Sequence, residues 1–178
     1  MENSQGSSSR LQNKDYRTIE QTMEKLPGGT RRLAAQLTTS ATFESLWSVL
    51  TDYNRLNLYI PNLLSSKKIF QKNNNVQLRQ VGAQDFLGMK FSAEVTIDLF
   101  EEKELGLLRF SLIKGDFRKF EGSWTIQKIK DTTKNSLIYD LTVQGCQWMP
   151  IGMIEKRLKK DLSENLIAVD KQAKLSVE

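Results

Sequence analysis

Residues 63 to 145 carry one strand signal after another with no helical period between them, and this constrains the fold more than any other feature of the chain. The runs SSKKIFQ, NVQLRQVG, MKFSAEVTIDLFE, LGLLRFSLI, DFRKFEGSWTIQKI and SLIYDLTVQG are separated by clusters of Asn, Gly, Lys and Asp. In the clearest of them, Phe91, Ala93, Val95, Ile97 and Leu99 point one way while Ser92, Glu94, Thr96 and Asp98 point the other. Leu137, Tyr139, Leu141 and Val143 likewise oppose Ile138, Asp140, Thr142 and Gln144. Strands with one dry and one wet face belong to antiparallel sheets. The connections are too short to hold crossover helices, so a meander is expected and parallel βαβ units are not.

A sheet with one apolar face needs a cover. Pro150 opens PIGMIEKRLKKDLSENLIAVDKQAKL, in which Ile151, Ile154, Leu158, Leu162, Leu166 and Val169 recur at three- and four-residue steps. The spacing predicts one long amphipathic helix, the only element long enough to close the sheet. Upstream, a Pro-Gly-Gly turn separates the partial alternations Ile19/Gln21/Met23 and Leu33/Ala35/Leu37, which predicts a hairpin, although residues 16 to 25 also read as a short helix. ATFESLWSVL then places Phe43, Leu46, Trp47 and Leu50 on one helical face behind Thr42 as N-cap. Thr51 or Asp52 is positioned to cap a second short helix carrying Tyr53, Leu56, Asn57 and Ile60, which Pro61 ends. The first ~15 residues, rich in Ser, Asn and Gln, read as a disordered tail (residues 1–15) ahead of a single domain (residues 16–175).

Composition removes several classes of function. There is no histidine, so the usual base of Ser and Cys nucleophile systems is missing. The single cysteine, Cys146, has no intrachain partner, and no cluster of metal ligands accompanies it. No GxxxxGK[ST], GxGxxG or HExxH is present, so neither a metal nor a cofactor is implied. No run approaches the ~20 apolar residues of a membrane span, and the start MENSQGSSSR lacks a secretory apolar segment, which makes a cytoplasmic location the expectation. The net charge of +5 is a modest excess of 26 basic over 21 acidic residues. It suits anionic surfaces or RNA at low salt without naming either, and no DNA-binding motif is present.

LTDYNRLNLYIPNLLSSK resembles the signature of the polyketide cyclase/dehydrase and coenzyme-Q-binding branch of the START-like (SRPBCC) superfamily. QLRQVG, FEGSWTI and the Pro-led terminal helix ending in ENLIAV extend the similarity over residues 19 to 170. The resemblance implies an α+β helix-grip fold, a curved antiparallel β-sheet wrapped around a long C-terminal α-helix, with two short helices after the first strand. It also implies a cavity between sheet and helix, entered near the short helices, that takes a small hydrophobic ligand such as a lipid, quinone, isoprenoid or polyketide. Carried onto this chain, the wall positions are Tyr53, Leu56, Tyr59, Ile60 and Pro61 from the opening stretch. Phe86, Leu87, Phe91, Phe110, Phe120, Trp124 and Tyr139 follow from strands and loops, and Trp148, Met149, Ile151, Ile154 and Leu158 close the space from the helix side. Each of these apolar positions also reads as ordinary core packing, since a pocket differs from a core by incomplete filling.

The polar candidates Gln77, Arg79, Gln80, Gln84, Asp85, Arg109 and Arg118 read first as the wet face of the strands. Lys156, Arg157, Lys159 and Lys160 form a basic group that suits transient contact with lipid headgroups, or simply a solvated helix side. A cyclase-type enzyme is the alternative to a carrier, with Tyr139 or Asp85 moving a proton if burial shifts its pKa, and no catalytic residue is assigned. A ribosome- or RNA-associated module is the third reading, which requires a continuous basic face and a filled core.

Overall fold

The computed structural model describes residues 19–86, 89–146 and 151–176, and the account below is of those residues. Strands β1 (Ile19–Lys25) and β2 (Arg31–Thr39) form the expected hairpin. Its turn needs glycine: Gly28 and Gly29 have φ of 69° and 77°, a region that side chains bearing a Cβ avoid. Helix α1 (Phe43–Thr51) follows, and Thr42 caps it as expected, its side-chain oxygen accepting from the Ser45 N–H at 3.1 Å.

The second helix is only a 3-10 turn at Leu56–Leu58. Neither Thr51 nor Asp52 caps it. Thr51 is the last residue of α1 and donates its hydroxyl to the Trp47 carbonyl at 2.8 Å, and Asp52 is the C-cap of the same helix. With five residues between Thr51 and the turn's second residue, no room remains for a regular N-terminus.

Six further strands complete the sheet: β3 (Leu63–Lys72), β4 (Asn75–Phe86), β5 (Met89–Glu102), β6 (Leu107–Gly115), β7 (Phe117–Lys128) and β8 (Asn135–Gly145). All pair antiparallel in the order β1-β2-β8-β7-β6-β5-β4-β3, so only the β2–β8 contact joins strands distant in sequence. The long helix α2 (Ile151–Leu175) then returns across the sheet, and its main partners are β2, β8 and α1. This is the helix-grip arrangement, with the long helix held against a large antiparallel sheet.

The concave face follows from register. Leu33, Ala35 and Leu37 on β2 pair with Leu141, Tyr139 and Leu137 on β8, and all six are buried. Trp124 and Ile126 on β7 meet Tyr139 and Leu137, and Leu108 on β6 meets Trp124. Leu99 and Ile97 on β5 and Val76 and Leu78 on β4 carry the same face onward. Leu162, Leu166, Val169 and Ala173 of α2 are buried at the helix side of the core.

A carboxylate sits among them. Asp170 is wholly buried, accepts from the Thr39 hydroxyl and pairs with Lys174 at 3.2 Å. A buried charge persists only when paired in this way. The pair anchors the end of α2 to the end of β2.

The outer edge of the sheet is protected as well as exposed. Lys67, Lys68 and Lys72 lie along β3, a register shift falls between Lys68 and Phe70, and the Lys68 N–H donates to Asn54 at 2.8 Å. Lysines, bulges and side-chain caps all discourage pairing with another chain.

Candidate functional site

Aromatic side chains gather on the concave face where β6, β7 and β8 meet. Phe110 on β6 lies opposite Gly122 on β7, and this is why a glycine stands in FEGSWTI: a Cβ there would collide with the Asp140 carbonyl oxygen and come within 2.9 Å of the Phe110 ring. Phe110 thereby reaches Phe120, with ring centroids 5.5 Å apart, and Tyr139, at 6.2 Å. Phe117 extends the row at 5.4 Å from Phe120. Trp124 and Tyr139 stack face to face, 4.1 Å apart and 9° from parallel. These are separations at which rings attract beyond their area of contact.

Burial divides this group. Phe110 and Tyr139 are buried, whereas Phe117, Phe120, Trp124 and Leu112 are only partly covered although they share the face. From the opposite side, Leu158 of α2 and Leu56, Tyr59 and Ile60 of the connecting segment are also half-buried against the same core. The arrangement is a row of aromatic side chains whose outer members are only partly covered.

The connecting segment is pinned at one end. Tyr53 is buried and donates its hydroxyl to Glu101 at 2.5 Å, while its carbonyl accepts from the Ser66 hydroxyl at 2.6 Å. Tyr59 donates to the Val49 carbonyl at 2.6 Å. Burial, reinforced by the Glu101 carboxylate for Tyr53, pushes both phenols well above their ordinary value. At the other end, Asn62 makes a longer contact with Asp161 of α2, at 3.3 Å. Beyond it lies a surface groove of about 490 Å³ between Pro61–Asn62 and the outer side of α2, lined by Arg157, Lys160, Glu164, Ile167 and Ala168.

Tyr139 decides part of the chemistry. Burial, with a smaller contribution from Asp161, raises its pKa far above the usual tyrosine value, so it stays a neutral phenol at any physiological pH. A neutral phenol can donate and accept hydrogen bonds.

Of the expected wall positions, Phe110 and Tyr139 are in the hydrophobic core, and Phe120, Trp124, Leu56, Tyr59, Ile60 and Leu158 are partly buried against it. Tyr53 is core packing behind the wall, and Pro61 is exposed on the outer groove, because the segment turns its back to solvent there. Leu87, Trp148 and Met149 lie outside the described residues, as do the side chains of Phe86, Phe91, Ile151 and Ile154. The wet-face reading holds for Arg79, which pairs with Glu94 at 2.8 Å, and for Arg109, which pairs with Glu102 and sits 5.5 Å over the Phe100 ring. It fails for Gln80, whose register neighbours Val95 and Ser66 are both buried. Side chains at Gln84 and Asp85 lie outside the described residues.

Sequence reasoning missed Phe117 and Leu112. Strict alternation puts Phe117, three positions before Phe120, on the opposite face, and the register shift between Phe117 and Lys119 brings the two rings to the same side. For the groove residues Glu164, Ile167 and Ala168 no sequence signal existed, since the groove forms only where α2 passes Pro61.

Comparisons with known proteins agree with this geometry. A family model described as polyketide cyclase/dehydrase and lipid transport matches residues 39–170. The STAR-related lipid transfer protein from Xanthomonas axonopodis superposes with a TM-score of 0.77 at 14% identity, covering 91% of this chain and 97% of that one. The Zhui aromatase/cyclase from Streptomyces sp. R1128 gives 0.71 at 15% identity, over 84% and 96% of the two chains. Human StAR-related lipid transfer protein 5 gives 0.71 at 9% identity, over 90% and 84%. At these identities the likeness is one of fold. No curated protein matches the chain in sequence.

Proposed function

The chain belongs to the polyketide cyclase/dehydrase and lipid transport family, and on that premise we propose that it binds or transfers a small hydrophobic molecule held between the sheet and its C-terminal helix. The observation that carries this reading is the half-covered aromatic wall of Phe117, Phe120 and Trp124 on an otherwise buried face. Packed cores reach crystal-like density, so large rings left partly open on the inner side of a sheet support a space meant for a guest. Lipids, quinones, isoprenoids and polyketide-like molecules all fit the chemistry of that wall. We further propose a single domain over residues 16–175, preceded by a tail of residues 1–15, acting in the cytoplasm.

The outer groove beside Pro61, with Arg157 and Lys160, supports transient contact with a membrane surface during loading. Native mass spectrometry of gently purified protein, followed by organic extraction, tests the reading. A stoichiometric lipid, quinone or isoprenoid that disappears in Leu158→Asp supports it. A clean unliganded mass with no thermal shift across a lipid and quinone panel refutes it.

A further inference from the structure

A polar side chain joins the open flank of the apolar concave face. On β4, Val76, Leu78 and Gln80 follow one another on the same face; the first two are buried and Gln80 is half-exposed. Across the strands it meets buried Val95 on β5 and buried Ser66 on β3. A glutamine with its register neighbours in the core belongs to the inner surface, and its partial exposure leaves the amide accessible there.

The orientation of its amide follows from the neighbouring hydrogen bonds. A hydroxyl has one proton, and that of Ser66 is committed to the Tyr53 carbonyl at 2.6 Å, a group that can only accept. Ser66 Oγ must then act as acceptor towards Gln80, which lies 3.2 Å away through Nε2. The amide is thereby held with nitrogen towards Ser66 and Oε1 turned away from it, and among the described residues Oε1 meets no donor. The wall offers the ligand a fixed hydrogen-bond acceptor in an apolar surround.

We infer that Gln80 is a specificity-determining residue that selects ligands carrying a hydrogen-bond donor, a hydroxyl above all, over otherwise identical molecules that can only accept. The inference rests on the carrier reading and narrows it. A guest that displaces water from Oε1 without donating to it leaves a desolvated acceptor unpaired, and this costs binding. The second amide N–H can still serve an acceptor, so a hydroxyl satisfies both halves of the amide while an ether, ester or quinone oxygen satisfies one. Hydroxylated amphiphiles and the reduced, quinol form of a quinone are therefore the preferred class.

The test uses 1-hexadecanol and 1-methoxyhexadecane, probes of nearly equal apolar surface that differ in the donor proton, with intrinsic tryptophan fluorescence as readout on the full chain. The wild type is expected to bind the alcohol about tenfold more tightly than the ether. Gln80→Met keeps the side-chain length without the amide and should abolish the preference while retaining affinity for the ether. Ser66→Ala, which frees the amide to turn, should reduce the preference and serves if Gln80→Met does not fold. Equal binding of both probes by the wild type, or a preference that survives in both variants, overturns the role of Gln80 and leaves the carrier reading standing. Failure of the wild type to bind either probe overturns both.

Discussion

The two flanks of the sheet have the same strands, the same twist and the same alternation, yet they are put to different uses. Under α2, the β2–β8 flank is sealed: Leu33, Leu37, Leu137, Leu162, Leu166 and Val169 are almost wholly buried, and the Asp170–Thr39 pair locks the helix to β2. On the β4–β7 flank Val76, Leu78, Ile97, Leu99, Leu108 and Phe110 are buried too, but Phe117, Phe120, Trp124 and Gln80 beside them are partly open. The sheet is eight strands wide, so one helix can seal only part of it. The sealed flank supplies stability and the open flank supplies room.

The sharpest way to break that contrast is to truncate one residue on each side. Leu166→Ala should lose about 2–5 kcal/mol in denaturant titrations, the cost of a cavity in a close-packed core. Phe120→Ala should lose clearly less stability while weakening binding of a co-purified ligand. Equal stability losses would mean that the open flank is ordinary core. Next in size, Gly122→Ala should cost about 1–3 kcal/mol by forcing Phe110 and the β8 backbone apart, read as a lower melting temperature.

A smaller and more diagnostic effect concerns alkaline pH. The folded pKa values of Tyr53, Tyr59 and Tyr139 are raised by burial, above the ordinary tyrosine value of 10. Their stabilising contribution is complete below that value and is lost as pH rises towards the folded values. Melting temperature should therefore fall from about pH 10 upwards, and Tyr139→Phe should blunt the fall. An unchanged alkaline slope in that variant would mean that Tyr139 is more accessible than its setting on the sealed edge implies.

The smallest effect is at the start of α2, where Arg31 donates to Glu155 at 2.6 Å and holds its carboxyl below the ordinary carboxylate value. A depressed folded pKa contributes stability that is present above the unfolded value, near 4.5, and lost as pH falls through the folded one. Glu155→Gln should lower stability slightly at neutral pH, by the contribution of this exposed pair, and remove its acid dependence, as followed by thermal melts at about pH 7 and between about pH 5 and 3. A neutral-pH loss comparable to Leu166→Ala would make this clasp part of the seal.

Local patterns were legible where the chemistry is local. Thr42 caps α1 because a Thr before an apolar helical period has its hydroxyl within reach of the first-turn N–H groups, whatever the rest of the chain does. The alternation of residues 91 to 99 marks a strand for the same reason, although the register shift between Thr96 and Ile97, with Thr96 buried, was hidden in it. The short helix expected at Tyr53–Ile60 contracted to a 3-10 turn because Tyr53 is drawn into the core by Glu101 and Ser66, partners 48 and 13 residues away. Tyr53 could not be told from a wall residue without them.

By itself the sequence determined the order of strands and helices, the capped start of α1, the apolar stripe of α2 and the family signature, because periodicity and capping depend on residues a few positions apart. Only the tertiary structure decided which strand face is concave, that α2 covers β2 and β8 rather than the whole sheet, that Gln80 faces inward while Arg79 faces out, and that Gly122 makes room for Phe110. These depend on register and on contacts between distant segments, and a one-residue shift in pairing would exchange inside for outside along an entire strand.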